Sequence, residues 1–324
     1  MSGLPDLSNE TYRPPVALRE NVGFREFAGA IRRDFGIASF TSLVSGKRRV
    51  AELPDHDSEI QQRVEVVGSP RVKMSGPASF IQFPRGTRAG TFLHKVFEGV
   101  DFKQSTTLSI QALVRQLLEE FSFDADWEGA VTGMVQNVLS TSLDRATADL
   151  SLSRISAQER LNEMEFHMPL DLLTSGKLRF ILQSHLGKRF PKITSDLLDQ
   201  LEFSPVSGFM KGFIDLVFCF QGRYYLVDWK STFLGDDFTD YATERVTETM
   251  WREGYILQYL LYVVALDRYL GFRIKDYQYS SHFGGVYYVF LRGVNPAEGP
   301  KYGIYRDLPD ESLVRALSDG LSSM

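Results

Sequence analysis

Three charged residues, Asp215, Asp228 and Lys230, stand inside two runs that otherwise read as buried β-strand, in GFIDLVFCFQGRYYLVDWKST at residues 212–232. An unpaired charge in such a place is expensive, so these residues need partners or a purpose. Phe213 to Phe220 and Arg223 to Lys230 are β-rich runs separated by Gln221-Gly222, which reads as a two-residue hairpin turn. With that turn Phe220 faces Arg223, and the same register sets Asp215 opposite Asp228 with Lys230 on the same face. Like charges directly opposed destabilise a sheet by about 0.2–1 kcal/mol unless something cationic lies between them. Lys230 supplies part of that charge and a divalent metal would supply the rest; carboxylate oxygens favour Mg²⁺, Mn²⁺ or Ca²⁺ over Zn²⁺. The ordinary reading of Asp and Lys in strands is a salt bridge on a solvated face. Here FIDLVF and YYLVDWK are apolar on both faces, so the strands read as central and the triad as a site.

A chain of 324 residues is long for one domain, and one large domain with extensions is the expectation. Its net charge of -5 argues against a surface that binds nucleic acid everywhere and leaves room for a local basic groove. The single cysteine, Cys219, excludes an intrachain disulfide and a cysteine-ligated iron–sulfur cluster or zinc site, and fits a reducing, cytoplasmic setting. No apolar run is long enough to span a bilayer and the N-terminal MSGLPDLSNETYRPP lacks a signal-peptide core, so no membrane partner is expected.

Along the chain, residues 1–22 are polar, and FREFAGAIRRDF from Phe24 has helical spacing. IASFTSLV suits a strand or a helix entry, and the stretch 45–86 is broken by Gly, Pro and mixed charge into a long irregular excursion. RAGTFLHKVFEGVDF carries an apolar stripe of Leu93, Val96, Phe97 and Val100, with His94 and Glu98 on a neighbouring face. Residues 108–150 read as helical, and RLNEMEFHMPL alternates like a strand with Glu163, Glu165 and His167 on one face. ETMWREGYILQYLLYVVALDRYL predicts one long helix with Gln258 and Tyr262 a turn apart, and GGVYYVFLRGV a further buried strand. This order predicts an α/β domain with a mixed sheet. Taken alone, His94 reads as a structural histidine, and Gln258 and Tyr262 as packing residues. Arg85, Arg88 and Lys95 suit phosphate contacts and a solvated face equally. No phosphate-binding G-x4-G-K-[S/T] loop occurs, so the sequence carries no motor by that test.

An acid, a hairpin and then acid-x-Lys resembles the core of the PD-(D/E)xK nucleases. With GTFLHKVFE upstream, GFIDLVF and LVDWKST in the hairpin, LQYLLY as Gln-x3-Tyr, and HFGGVYYVFLRGV downstream, the chain resembles the C-terminal nuclease domain of the RecB subunit of the RecBCD helicase–nuclease, from about Ala38 to about Tyr305. The resemblance implies a restriction-endonuclease-like α/β fold, a mixed central sheet flanked by helices. It divides the chain into a leading segment from a helicase junction (1–36), the nuclease domain (37–306) and a tail (307–324). It implies that His94, Asp215, Asp228 and the backbone carbonyl of Trp229 ligate a metal and that Lys230 is the catalytic lysine. Glu163 matches the acidic position of the family's EMEF strand, with Glu165 competing for the role. Gln258 and Tyr262 would support the site or hold DNA. Trp229 stands where the family usually has Tyr.

The implied activity is that of a Mg²⁺-dependent deoxyribonuclease, with exo- and endonucleolytic action on single strands delivered by a helicase during double-strand break repair. Implied partners are DNA, RecC- and RecD-like subunits, a helicase domain and RecA. In such a site a metal lowers the pKa of bound water and polarises a phosphoryl oxygen. Lys230, kept protonated by its carboxylate neighbours, would orient that water or neutralise developing charge rather than act as a base. The alternative is a catalytically inactive nuclease-like module that binds DNA or serves as a scaffold, against which the intact Asp215, Asp228 and Lys230 count. An iron–sulfur nuclease of the AddB type is excluded by the single cysteine.

Overall fold

Gln221 and Gly222 both adopt positive φ, 50° and 76°, the backbone that a tight two-residue hairpin turn requires. They join β3 (Val206–Phe220) to β4 (Arg223–Lys230) in the expected register, from Phe220↔Arg223 to Leu216↔Val227. This computed structural model describes residues 35–40, 43, 79–145, 147, 149–187, 198, 201 and 203–322, all within one compact unit, Asp34–Met324. The expected helix from Phe24, most of the leading segment and the 45–78 part of the irregular stretch lie outside the described residues.

Among the described residues the sheet is six-stranded and mixed. β1 (Phe35–Ala38) pairs in parallel with β3, which pairs antiparallel with β4; β5 (Phe283–Phe290) lies parallel to β4, and β6 (Ile304–Asp307) antiparallel to β5. β2 (Arg160–Leu173) runs antiparallel along nearly the whole of β3. Since β2 occupies one edge of β3, β1 and β4 share the other, at residues 207–210 and 216–220. The notch between them falls at residues 211–215, which places Asp215 where the sheet opens.

Helices cover both faces, as a sheet buried on both sides demands. One core joins the sheet to α1 (Thr87–Gly99), α2 (Thr107–Glu120) and α3 (Glu128–Ser140); the other joins it to α4 (Ser175–Leu186), α5 (Thr243–Arg252), α6 (Tyr255–Arg273) and α7 (Glu311–Leu321). The fold is therefore restriction-endonuclease-like α/β. The single long helix expected over ETMWREGYILQYLLYVVALDRYL is two helices: Gly254 takes a left-handed φ of 73° and starts a new helix axis after α5. The stretch expected as a tail carries α7, whose Leu313, Val314, Leu317 and Leu321 are buried in the second core. No helix among the described residues is long and apolar enough to cross a membrane.

Candidate metal centre

The site grows from a fault in the alternation of two neighbouring strands. In β3, Met210, Ile214 and Val217 face the core beneath α6, whereas Leu216 and Phe218 face the core beneath α1–α3. The inside–outside phase thus changes at Asp215. In β2, Met164 and Phe166 face the α6 side, while Asn162 donates from its amide to the carbonyl of Glu98 in α1 at 3.1 Å. Between them Glu163 has a φ of 49°. The flanking pairs, Asn162↔Leu216 and Met164↔Ile214, make Glu163 and Asp215 the facing residues of this double irregularity. A left-handed backbone in a non-glycine residue costs of order 1–3 kcal/mol and persists where the surroundings enforce it, typically at functional sites.

The fault aims both acids at α1. His94 Nδ1 lies 3.6 Å from Asp215 Oδ1 and 3.8 Å from Glu163 Oε1. One ligand atom from each of the three residues falls within 4.8 Å of the others. Ligands about 2.1 Å from a common ion stand roughly 3–4.2 Å apart, so the separations of the two carboxylates from the His94 imidazole suit a shared divalent cation. Asp215 Oδ2 accepts the Trp229 N–H at 2.7 Å, taking over where the β3–β4 ladder ends and leaving Oδ1 towards His94. The Trp229 ring stacks on Phe97 of α1, centroids 4.4 Å apart, which ties the helix bearing His94 to β4. Burial is the main cause that pushes the Asp215 carboxyl well above the usual carboxylate range; His94 and Lys230 oppose it, and Asp228 and Glu163 add to it. A bound cation would reverse that balance.

Asp228 stands outside this three-residue group. Its Oδ1 lies 2.7 Å from Lys230 Nζ, with both side chains almost wholly buried. Lys230 Nζ sits 4.1 Å from the centroid of Tyr255 and 5.3 Å from that of Tyr288, an aromatic wall suited to a desolvated ammonium. Behind it runs a buried chain: Tyr288 Oη donates to Gln258 Oε1 at 2.9 Å, and Gln258 Nε2 donates to Tyr262 Oη at 3.2 Å. Gln258 and Tyr262 therefore face the site, and Asp228 and Asp215 help, after burial, to hold the Tyr262 hydroxyl well above its ordinary pKa.

Nothing in the sequence singles out Tyr255 and Tyr288, the two rings of that wall. Tyr288 lies beside Asp228 in the β4–β5 register, and Tyr255 stands three residues before Gln258 on α6, but both sit in apolar runs that read as core. Glu165 does not compete with Glu163: half-exposed, it meets Lys211 at 2.8 Å and His167 at 3.6 Å. Lys95 pairs with Glu98 at 2.6 Å, Arg85 lies over the ring of Phe233, and Arg88 over that of Phe123.

No family model matches the chain. Three similar proteins are each a "RecBCD enzyme subunit RecB". That of Escherichia coli is 41% identical over 244 residues, 75% of this chain and 20% of the relative. That of Haemophilus influenzae is 30% identical over 339 residues, 99% of this chain and 26% of the relative. That of Mycobacterium tuberculosis is 32% identical over 325 residues, 91% of this chain and 29% of the relative. The chain thus spans between a fifth and a third of the length of these relatives. Across that span the chain belongs to the RecB family, in the part that carries the nuclease domain.

Proposed function

We propose that this chain is a metal-dependent deoxyribonuclease that hydrolyses phosphodiester bonds, chiefly in single-stranded DNA delivered by a RecBCD-type helicase during double-strand break repair. RecC- and RecD-like subunits and RecA are its proposed partners. The observation that carries this reading is the convergence of His94, Glu163 and Asp215 beside a buried, charge-paired Lys230. Bound there, Mg²⁺ supplies Lewis acidity and a water of lowered pKa. His94, Glu163 and Asp215 hold the ion, with Asp228 and the Trp229 carbonyl as the further ligands that the family resemblance implies. Lys230, next to Asp228 and against Tyr255, offers a fixed positive charge to a phosphate oxygen on which negative charge grows. Gln258, Tyr262 and Tyr288 hold the lysine's surroundings in place, since each polar atom of that chain has a buried partner. The inactive-module alternative leaves the strained Glu163 and the neighbouring acids without a reason.

End-labelled single- and double-stranded DNA, incubated with Mg²⁺ or with excess EDTA, tests the reading. The expected result is cleavage of single strands in Mg²⁺ only. Undiminished cleavage in EDTA would overturn the metal role, and inertness with every divalent cation would favour the inactive module. Single-stranded DNA binding is expected to be weak and to fall steeply with added salt, because a protein of net charge -5 has only a local track of cations to offer the backbone.

A further inference from the structure

Arg292, in the turn that follows β5, is 2% exposed, an unusual depth for an arginine. Its guanidinium is met by main-chain carbonyls: Nε donates to Ser231 at 2.8 Å, Nη1 to Ile81 and Phe83 at 2.8 Å and to Phe80 at 3.4 Å, and Nη2 to Pro84 at 2.8 Å. Burial lowers its pKa to about 10, so it remains a cation near neutrality. Those carbonyls come from two places that matter to the site. Ser231 directly follows Lys230 at the exit of β4, and residues 80–84 lead into α1, which carries His94. Arg85 over Phe233 fastens the same two segments a second time, guanidinium carbon 3.2 Å from the ring centroid.

Resting on the metal-dependent reading above, we propose that Arg292 is a positioning residue for the metal centre, setting the place of His94 relative to β4. The helix α1 is held to β4 before its first turn by the Arg292 junction and the Arg85–Phe233 contact, along its length by core packing, and near its end by the Phe97–Trp229 stack. His94 lies between the junction and the stack, three residues or about 4.5 Å of helix axis from Phe97. Without the Arg292 junction the start of α1 keeps only its core packing and the Arg85–Phe233 contact, which leaves the helix freer to shift about the Phe97–Trp229 stack. A swing of about 10° carries His94 by about 0.8 Å, against a ligand-distance tolerance of about 0.2 Å.

A double-mutant cycle on Mn²⁺ affinity, read by electron paramagnetic resonance and free of any activity assay, tests this. Arg292→Lys, checked for native near-ultraviolet circular dichroism, is expected to bind Mn²⁺ about 10-fold more weakly than the native protein. In a His94→Gln background the same change is expected to cost nothing further, because the ligand it positions is gone. Native-like affinity in folded Arg292→Lys, or an equal loss with and without His94, overturns the proposal. Should Arg292→Lys fail to fold, Arg292→Gln, which brings no charge to bury among fewer partners, goes through the same cycle with the same two outcomes decisive. A native protein that binds no Mn²⁺ overturns instead the metal reading itself.

Discussion

The two halves of the site solve the problem of buried charge in opposite ways. Asp228 and Lys230 neutralise each other at 2.7 Å inside a wall of Tyr255 and Tyr288, with side chains 4% and 3% exposed. Across the notch, Glu163 and Asp215 face each other with His94 between them, side chains 23%, 7% and 11% exposed, and the backbone strained at Glu163. The first half carries its own counter-charge. The second is open to solvent at Glu163 and collects two acids around one imidazole, so its balance calls for a cation from outside. On the proposed reading, a closed half that holds charge rigidly and an open half that would receive a metal form a division of labour suited to hydrolysis of a phosphodiester, where a fixed positive charge and a removable one would act on the same group.

The largest effect should come from breaking the closed half. Lys230→Ala leaves Asp228 buried without its partner, a change that typically costs about 3–5 kcal/mol. It also removes a charge whose loss at such sites lowers turnover about 10²–10³-fold. Chemical denaturation and single-turnover cleavage report the two, while Mn²⁺ affinity is expected to survive, since the open half is intact. Loss of metal affinity in step with the rate would mean that the halves are not separable.

A smaller effect is expected from Gly212→Ala. A Cβ there would meet Phe166 Cζ at 2.6 Å and Tyr262 at 3.3 Å, the rings that pack beneath the site. Overpacking of this kind costs roughly 1–3 kcal/mol. Both metal affinity and cleavage should weaken with it, and a neutral Gly212→Ala would show that this packing does not support the site.

The smallest shift should come from Asp215→Asn without metal. The folded-state pKa of Asp215 is raised, so the folded protein holds that proton more tightly than the unfolded chain, whose carboxyl titrates near 3.9. The stabilising contribution is fully present below the unfolded pKa and is lost as pH rises through the folded one. At neutral pH in EDTA the native protein therefore carries a cost that Asn lacks, and relief of like-charge repulsion alone is worth about 0.2–1 kcal/mol. Thermal unfolding in EDTA should find the mutant equally or slightly more stable at pH 7, with that relief gone near pH 4. Mg²⁺ should stabilise the native protein more than the mutant. A mutant clearly weaker in EDTA would make Asp215 a structural partner of Trp229 alone.

Much of this was legible in the residues. The Gln221-Gly222 turn carried the hairpin register, and apolar residues on both sides of Asp215 and Asp228 marked β3 and β4 as interior strands. The motif order placed His94, Gln258 and Tyr262 around them. What escaped has physical reasons. Alternation puts Glu163 and Glu165 on the same face, and only the positive φ of Glu163, which no residue type announces, separates them. Asp215 and Asp228 read as a directly opposed pair, whereas the ladder stops one pair short of them, a consequence of β1 and β4 sharing one edge of β3. The break at Gly254 was written in the sequence and overridden by the continuous apolar spacing on either side. Arg292 is a lone charge after a strand, and its carbonyl partners lie 61 and 208–212 residues away.

Calorimetric titration of Mn²⁺ into the native protein and into Glu163→Gln tests most directly whether the open half is the metal centre. The expected result is saturable binding to the native protein, with a marked loss of affinity in the variant while its unfolding temperature in EDTA stays at or above the native value. Absence of binding, or identical affinity in the two proteins, would contradict the assignment of His94, Glu163 and Asp215 as the ligands.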